Sequence, residues 1–97
     1  MTEHCDFCHH TPATWGYPAE SFLLVHLGAR SDGDWAACDG CKPLIDKPDP
    51  EALALRAMGN PNAQAMQSLA GRDWTLAEIS RMHREFFKHK KGEAYRL

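Results

Sequence analysis

The stretch CDGCKPLID, residues 38–46, decides how the first half of this chain folds. It holds two cysteines separated by two residues, and Pro43 follows the second cysteine by two positions. Proline has no backbone N–H to donate, so it is tolerated in the first turn of a helix and disfavoured further inside one. The stretch therefore predicts a cysteine pair at the start of a short helix, which includes Leu44 and Ile45 and ends at the KPDP sequence that follows.

A second cysteine pair with the same spacing, Cys5 and Cys8, lies near the N-terminus, and the chain has no other cysteines than these four. Two short loops that each present two sulfurs complete the tetrahedral shell of one zinc ion. The 29 residues between the pairs are enough to form a β-hairpin that brings the two loops together. The sequence predicts one structural Zn²⁺ ion, bound by Cys5, Cys8, Cys38 and Cys41.

The four cysteines also match three patterns other than a zinc site. CDFCH also matches the haem-attachment pattern with His9 as axial ligand, but that use leaves Cys38 and Cys41 without a role. A thioredoxin-like redox pair needs a βαβ context that this order of elements does not provide. An iron–sulfur cluster uses the same four thiolates and stays open. We interpret His4 and His10, like His9, as solvated loop residues, because four thiolates already complete a zinc shell.

Composition and segment lengths restrict the class of protein. Hydrophobic residues make up 43% of the chain and charged residues 25%, as in an ordinary globular domain. No apolar run approaches the roughly 18 to 20 residues that span a bilayer, and MTEHCDFCHH does not look like a secretory signal. We therefore expect a cytoplasmic protein with no membrane partner. In that reducing compartment, paired cysteines bind metals more often than they form disulfides.

Between the cysteine pairs the sequence predicts strands over residues 14–17, 21–27 and 33–38. The last two flank the turn-rich SDGD and predict a hairpin. We expect four aromatic residues to pack as one cluster over this hairpin: Trp15, Tyr17, Phe22 and Trp35.

A symmetrical zinc ribbon would have a glycine soon after each second cysteine, and neither loop has one. The predicted order of elements is a knuckle, a hairpin and a helix that carries the second ligand pair. This order resembles a treble-clef finger, and a zinc ribbon is the alternative.

The second half reads as a series of helices. Asp49 is a capping residue for a helix that has Pro50 in its first turn and continues through residues 51–58, and Asn60 or Asn62 starts another that ends before Gly71. For the last helix, Thr75 and Glu78 form a capping box, with two hydrophobic residues, Trp74 and Ile79, at the staple positions. The apolar side of this last helix holds six residues: Leu76, Ile79, Met82, His83, Phe86 and Phe87. The opposite side holds four basic residues: Arg81, Arg84, Lys88 and Lys91.

The basic side of the last helix has three interpretations. It is an ordinary solvated face, a docking surface for phosphates or an acidic protein patch, or a complement to the acidic first half of the chain. Residues 1–50 hold three Lys/Arg against eight Asp/Glu, a net charge of −5, whereas residues 51–97 hold eight against five, a net charge of +3. The acidic half would repel a nucleic-acid duplex, so we favour a protein partner, with Phe86 or Phe87 as the anchor.

The two cysteine pairs also resemble those of one class of enzyme. Zinc-containing HNH nucleases place two Cys-x-x-Cys pairs around a ββα core, but their chemistry needs a histidine base and clustered metal ligands. His26 lies inside an apolar run with no acidic or histidine neighbour, and Lys42 follows Cys41. We interpret His26 as a partly buried strand residue. The sequence therefore predicts a non-enzymatic protein with no small-molecule substrate, and an HNH-like nuclease is the remote alternative.

Three stretches, CDFCHHTPATWGYPAESFLL, GDWAACDGCKPLID and LALRAM, resemble a group of small zinc-binding proteins of actinobacteria and their phages. Six residues match the pattern of that group: Trp15, Tyr17, Pro18, Trp35, Leu44 and Ile45. The resemblance covers residues 5–58 and implies a zinc site and a fold. It implies no activity, and the last helix lies outside it.

Taken together, the sequence predicts a small α+β protein. Residues 1–58 form a four-cysteine zinc finger with a β-hairpin and short helices, and residues 59–97 form a helical segment that ends in an amphipathic basic helix. The predicted function is that of a binding module that docks on a larger protein assembly, as a regulator or a phage-encoded modulator of host machinery. Binding of nucleic acid through the basic helix is the alternative.

Overall fold

A computed structural model of the chain describes residues 3–24 and 28–97. These residues form a small α+β protein, as predicted, with two antiparallel sheets and four helices. The strands are β1 (Trp15–Tyr17), β2 (Phe22–Leu24), β3 (Ala29–Ser31), β4 (Trp35–Ala37) and β5 (Tyr95–Arg96). The helices are α1 (Lys42–Asp46), α2 (Pro50–Ala57), α3 (Pro61–Ala70) and α4 (Arg72–His89).

The first three helices begin where the sequence predicts. Pro43 lies in the first turn of α1. At the start of α2, the Asp49 carboxylate accepts a hydrogen bond from the Ala52 N–H at 3.1 Å. At the start of α3, the Asn60 side chain accepts one from the Ala63 N–H at 2.9 Å. Each cap satisfies a backbone donor that the first turn of a helix leaves without an intrahelical partner.

The predicted start of the last helix is wrong. The helix begins at Arg72, three residues before the proposed capping box, with Gly71 at its N-cap. Thr75 lies inside α4 instead, where its hydroxyl donates a hydrogen bond to the Gly71 carbonyl at 2.8 Å. Gly71 has a φ of 90°, which a residue with a side chain rarely adopts, so glycine allows α3 to end and α4 to begin at one position.

The predicted hairpin between residues 21–27 and 33–38 is also wrong. β2 pairs with β3, whereas β4 pairs with β1, and β5 adds to the other edge of β1. All of these pairs are antiparallel. β3 has no apolar alternation and is mostly exposed, so the sequence gives no sign of a strand there. Val25 and Leu27, and the His26 on which the nuclease alternative depends, lie outside the described residues.

The core is built around Phe86, which α4 inserts between the first cysteine loop and the sheet of β1 and β4. Its ring centroid lies 4.9 Å from that of Phe7, 5.0 Å from that of Trp35 and 6.2 Å from that of Tyr17. The Phe22 ring stacks on Trp35 at 6.2 Å. Residues from both sides of the predicted boundary at residue 58 therefore share one core.

Three of the four predicted cluster members, Tyr17, Phe22 and Trp35, belong to this core, but Trp15 does not lie at its centre. The Trp15 ring is half-buried and faces two cations, with Lys42 Nζ at 4.7 Å and the Arg96 guanidinium at 4.8 Å from its centroid.

No helix in the described part of the chain is long and apolar enough to cross a bilayer.

Candidate metal centre

The four cysteine sulfurs converge on one point in the interior. Cys5 Sγ lies 3.7 Å from Cys41 Sγ. Cys8 Sγ lies 3.6 Å from Cys38 Sγ, and all four sulfurs lie within 4.8 Å of one another. Metal–sulfur bonds of about 2.3 Å in a tetrahedral site separate neighbouring sulfurs by about 3.8 Å. The four residues are buried, free thiols, so the cluster could hold one metal ion, as predicted.

The first ligand loop turns tightly without a glycine. The Cys5 N–H donates to the His10 carbonyl, and the His9 N–H donates back to the Cys5 carbonyl, both at 2.9 Å. The Phe7 N–H points at Cys5 Sγ, 3.4 Å away. His9 takes the left-handed conformation, with φ of 65°, that glycine would take in a symmetrical ribbon. The missing glycine is therefore replaced by a histidine in a costly backbone conformation.

The second ligand loop connects β4 to α1. The Cys41 N–H donates to the Cys38 carbonyl at 3.1 Å, and Cys41 is the N-cap residue of α1. Asp6 joins the two loops, because its N–H donates to the Ala36 carbonyl at 2.8 Å while its carboxylate accepts from the Ala36 N–H at 2.6 Å. Burial raises the pKa of Asp6. This double contact fixes the first loop against the strand that leads into the second.

The electrostatic surroundings favour thiolate at part of the site. The hydrogen bond between the Cys5 and Cys41 sulfurs lowers the pKa of Cys5 to about 4 and raises that of Cys41. Arg56 Nη2 lies 3.7 Å from Cys38 Sγ, and this contact with sulfur raises the pKa of the guanidinium. A nearby cation stabilises a thiolate, the form that binds a metal. Burial raises the pKa of Cys8 to about 11.

Two residues around the sulfurs were not assigned a role from sequence. Arg56 lies 15 positions beyond the last cysteine, in α2, and no spacing rule connects it to the site. His10 is exposed, as expected for a solvated loop residue, yet its Nδ1 lies 3.1 Å from Cys8 Sγ. Groups that contact ligating sulfurs typically orient them and tune metal affinity. Only the three-dimensional packing reveals both contacts.

The structure separates the predicted partner-binding residues into two groups. The basic residues Arg81, Arg84, Lys88 and Lys91 are exposed. Phe86, in contrast, is 0% exposed and forms the centre of the core, so it offers no surface to a partner. The assignment of Phe86 as an anchor is therefore wrong. Phe87 is half-buried and packs against the core.

A groove between α2 and α4 lies beside three of these basic residues. Its cavity has a volume of about 610 Å³. Five of its lining residues are apolar or small: Ala54, Leu55, Leu76, Ala77 and Ser80. Charged residues line the rest, with acids at Glu51, Asp73 and Glu85 and bases at Arg81, Arg84 and Lys88. Leu55 is 51% exposed, so α2 presents an apolar side chain to this surface.

No family model, no curated protein and no solved structure matches this chain. We therefore assign the α+β fold and the four-cysteine cluster from their geometry alone. The resemblance to small zinc-binding proteins of actinobacteria and their phages stays a prediction.

Proposed function

We propose that this chain is a zinc-dependent docking module without catalytic activity. One zinc ion fixes a treble-clef finger at the N-terminal end, and the groove between α2 and α4 receives an amphipathic helix of a larger protein assembly. The observation that carries the proposal is the groove, because it combines an exposed apolar side chain, Leu55, with a row of bases on one helix.

The chemistry of the four sulfurs supports zinc and a structural role for it. A shell of four buried thiolates leaves no coordination position for a water or a substrate, which is the pattern of structural zinc sites. Cys41 at the start of α1, with the Cys5–Cys8 loop facing it, supports a treble clef over a symmetrical ribbon. Iron bound by the same four thiolates is the alternative, and elemental analysis of the protein distinguishes it from zinc.

The groove supports a helical, acidic partner. Amphipathic helices commonly dock by laying an apolar face into a groove between two helices. Arg81 and Lys88 have acidic neighbours, with Arg81 Nη1 3.9 Å from Glu78 and Lys88 Nζ 3.0 Å from Glu85. Arg84 forms no ion pair with any residue of the ranges 3–24 and 28–97. A partner carboxylate beside Arg84 would therefore gain a cation without breaking an existing pair.

Nucleic acid is the second candidate, favoured by one observation. All four bases of the predicted stripe are exposed and could contact phosphates. Against this, Glu85 and Glu78 lie among the bases and reduce their positive potential. The apolar residues that line the groove, such as Leu55, would also gain nothing from a phosphate backbone. We therefore favour a protein helix over nucleic acid as the partner.

Site-specific photo-cross-linking tests the docking function. A photoreactive amino acid at Leu55 reports on the groove, and the same amino acid at Lys47, exposed and outside the groove, is the matched control. We expect a protein adduct at position 55 in cells, none at position 47, and loss of the adduct in the double variant Arg84→Glu/Lys88→Glu. Nuclease treatment should leave the adduct unchanged.

A salt titration on mixed DNA and RNA tests the alternative. Four phosphate contacts would give a log–log slope of about −3 to −4, because each neutralised phosphate releases nearly one counterion. Micromolar binding at physiological salt that the same double variant abolishes would assign the basic face to nucleic acid and contradict the docking proposal.

A further inference from the structure

The groove between α2 and α4 has two opposite charges on one face of α4. Asp73 and Arg84 both line the groove, and both are exposed. Arg84 follows Asp73 by three turns of the helix, which is about 16 Å along its axis. Among the residues that the structure describes, neither of the two has an ion-pair partner. The groove therefore presents an acid and a base that both stay available for a contact with another molecule.

Small residues occupy the same face of α4 between these two charges. Ala77 and Ser80 line the groove as well. The four positions 73, 77, 80 and 84 follow the alternating spacing of four and three residues that forms one straight seam along a helix. Small side chains in the middle of a seam allow a second helix to approach to about 8 Å between the axes.

This seam is complementary to itself when its direction is reversed. If two copies of α4 pack antiparallel around a two-fold axis, Asp73 faces Arg84 of the second copy. In the same register, Ala77 faces Ser80 of the second copy. A two-fold axis repeats each contact, so the pair forms two ion pairs at its ends and two contacts between small residues at its centre. No like charges face each other along this seam.

The other charges of the groove do not oppose this arrangement. Arg81 and Lys88 have carboxylates beside them on their own helix, with Glu78 at 3.9 Å and Glu85 at 3.0 Å. The lining as a whole contains three acidic and three basic residues. A surface with balanced charge can meet a copy of itself without net repulsion, whereas a surface of one sign cannot.

We infer that the groove binds α4 of a second copy of this chain, so that the protein forms an antiparallel homodimer. The inference rests on the proposed function in that it uses the same groove, and it adds regulation to it, because a partner helix would have to displace the second copy. An acidic helix would pair with Arg84 alone, whereas a second copy pairs with Arg84 and Asp73 together. The dimer would also cover Leu55, which is 51% exposed in the monomer.

Sedimentation velocity of the zinc-loaded, full-length chain measures self-association in the absence of any other protein. We expect the sedimentation coefficient to rise with protein concentration towards that of a dimer. Salt at about 1 M should weaken the dimer, because it reduces the screening length to about 3 Å. Lys47→Glu is the matched control, since it reverses an exposed charge outside the groove and should leave the dimer unchanged.

Two charge reversals test the predicted register. Asp73→Arg puts bases at both ends of the seam, and Arg84→Asp puts acids there, so like charges meet twice in either homodimer. We expect each variant alone to dimerise at least about 10-fold more weakly than the native chain. In an equimolar mixture the bases of one variant face the acids of the other, and association should return to near the native level. This recovery would also show that both variants fold.

Three results would overturn the inference. A native chain that stays monomeric at millimolar concentration would exclude the dimer. A dimer that neither reversal weakens would place the contact on another face. A mixture that associates no better than either variant alone would show that Asp73 and Arg84 do not face each other.

The docking function can fail separately from the dimer. An adduct of another protein at Leu55, together with a chain that stays monomeric, would keep the docking function and reject the dimer. A dimer with the predicted response to both reversals, without an adduct of another protein, would support the inference and reject docking on a larger assembly.

Discussion

The part of the chain before α2 and the part from α2 onward are built from elements of different lengths. Strands β1 to β4 have three residues each, and α1 has five. Helices α2, α3 and α4 have 8, 10 and 18 residues. Strands and helices as short as those of the first part are not stable on their own, whereas longer amphipathic helices gain stability by packing an apolar face. The short elements of the first part surround the four cysteines, so we predict that a bound metal ion would add stability there that the longer helices of the second part do not need.

The two parts nevertheless depend on each other. Phe86 of α4 fills the space between Phe7 of the first cysteine loop and Trp35 of β4. Arg56 of α2 reaches back to Cys38. Loss of the metal should therefore expose the apolar face of α4 as well as unfold the first part.

Removal of one metal ligand should have the largest effect. In Cys38→Ser, or in the native chain treated with a strong chelator, we expect the strands and α1 to unfold. Binding of zinc to a small thiolate finger contributes on the order of 10 kcal/mol, more than a core of this size can replace. Elemental analysis of the native chain should give one zinc per molecule, and circular dichroism should show helical signal that partly survives in the variant.

Ala65→Ser, an exposed change of comparable size on α3, is the matched control and should bind one zinc. A well-folded native protein with less than half an equivalent of zinc would contradict a structural role for that metal. Iron in its place would show that the four thiolates bind iron instead of zinc.

Truncation of Phe86 should have the next largest effect and tests the shared core. Phe86→Ala removes a ring that is 0% exposed, and large core truncations of this kind cost about 3–5 kcal/mol of unfolding free energy. Leu69→Ala removes an apolar side chain that is 86% exposed and should cost less than about 0.5 kcal/mol. Chemical denaturation of both zinc-loaded variants measures the difference. Equal costs would show that α4 is not packed on the first part as described.

The parts of the fold that sequence could predict depend on local patterns. Pro43, Asp49 and Asn60 mark helix starts because each acts on backbone groups within three residues of itself. The same local logic was wrong at Thr75, because Gly71 upstream gave α4 an earlier start that a capping pattern does not reveal.

Long-range contacts account for what sequence could not predict. The pairing of β4 with β1 is set by cysteine loops that meet around one point, and no turn signal in the sequence encodes it. Phe86 is fully buried whereas Phe87 is half-buried, and this difference follows from which elements cover α4, since a helical wheel places both on one apolar face. The four-cysteine cluster was predictable because spacing alone defines its chemistry, and the contact of Arg56 with Cys38 was not.

The smallest expected effect concerns Arg56, which connects the helical part to the metal site. Arg56→Met keeps an unbranched, flexible side chain and removes the cation from Cys38 Sγ, so the thiolate form and any bound metal lose a stabilising charge. Loss of a group that contacts a metal ligand typically lowers metal affinity about 10- to 100-fold. Competition with a chromogenic zinc chelator measures that affinity, and Arg72→Met, at an arginine with no ion pair to a described residue, is the matched control.

Gly40 provides an independent way to remove the same contact. A Cβ at this position would collide with the guanidinium of Arg56, and Gly40 is not among the glycines with positive φ, so its backbone accepts alanine. Gly40→Ala should displace the flexible end of Arg56 and lower zinc affinity by a similar factor, while the double variant Gly40→Ala/Arg56→Met should lose no more than either single variant. Full additivity of the two changes would mean that Gly40 acts on the cysteine loop itself, and Arg56 would then not be the link between the two parts.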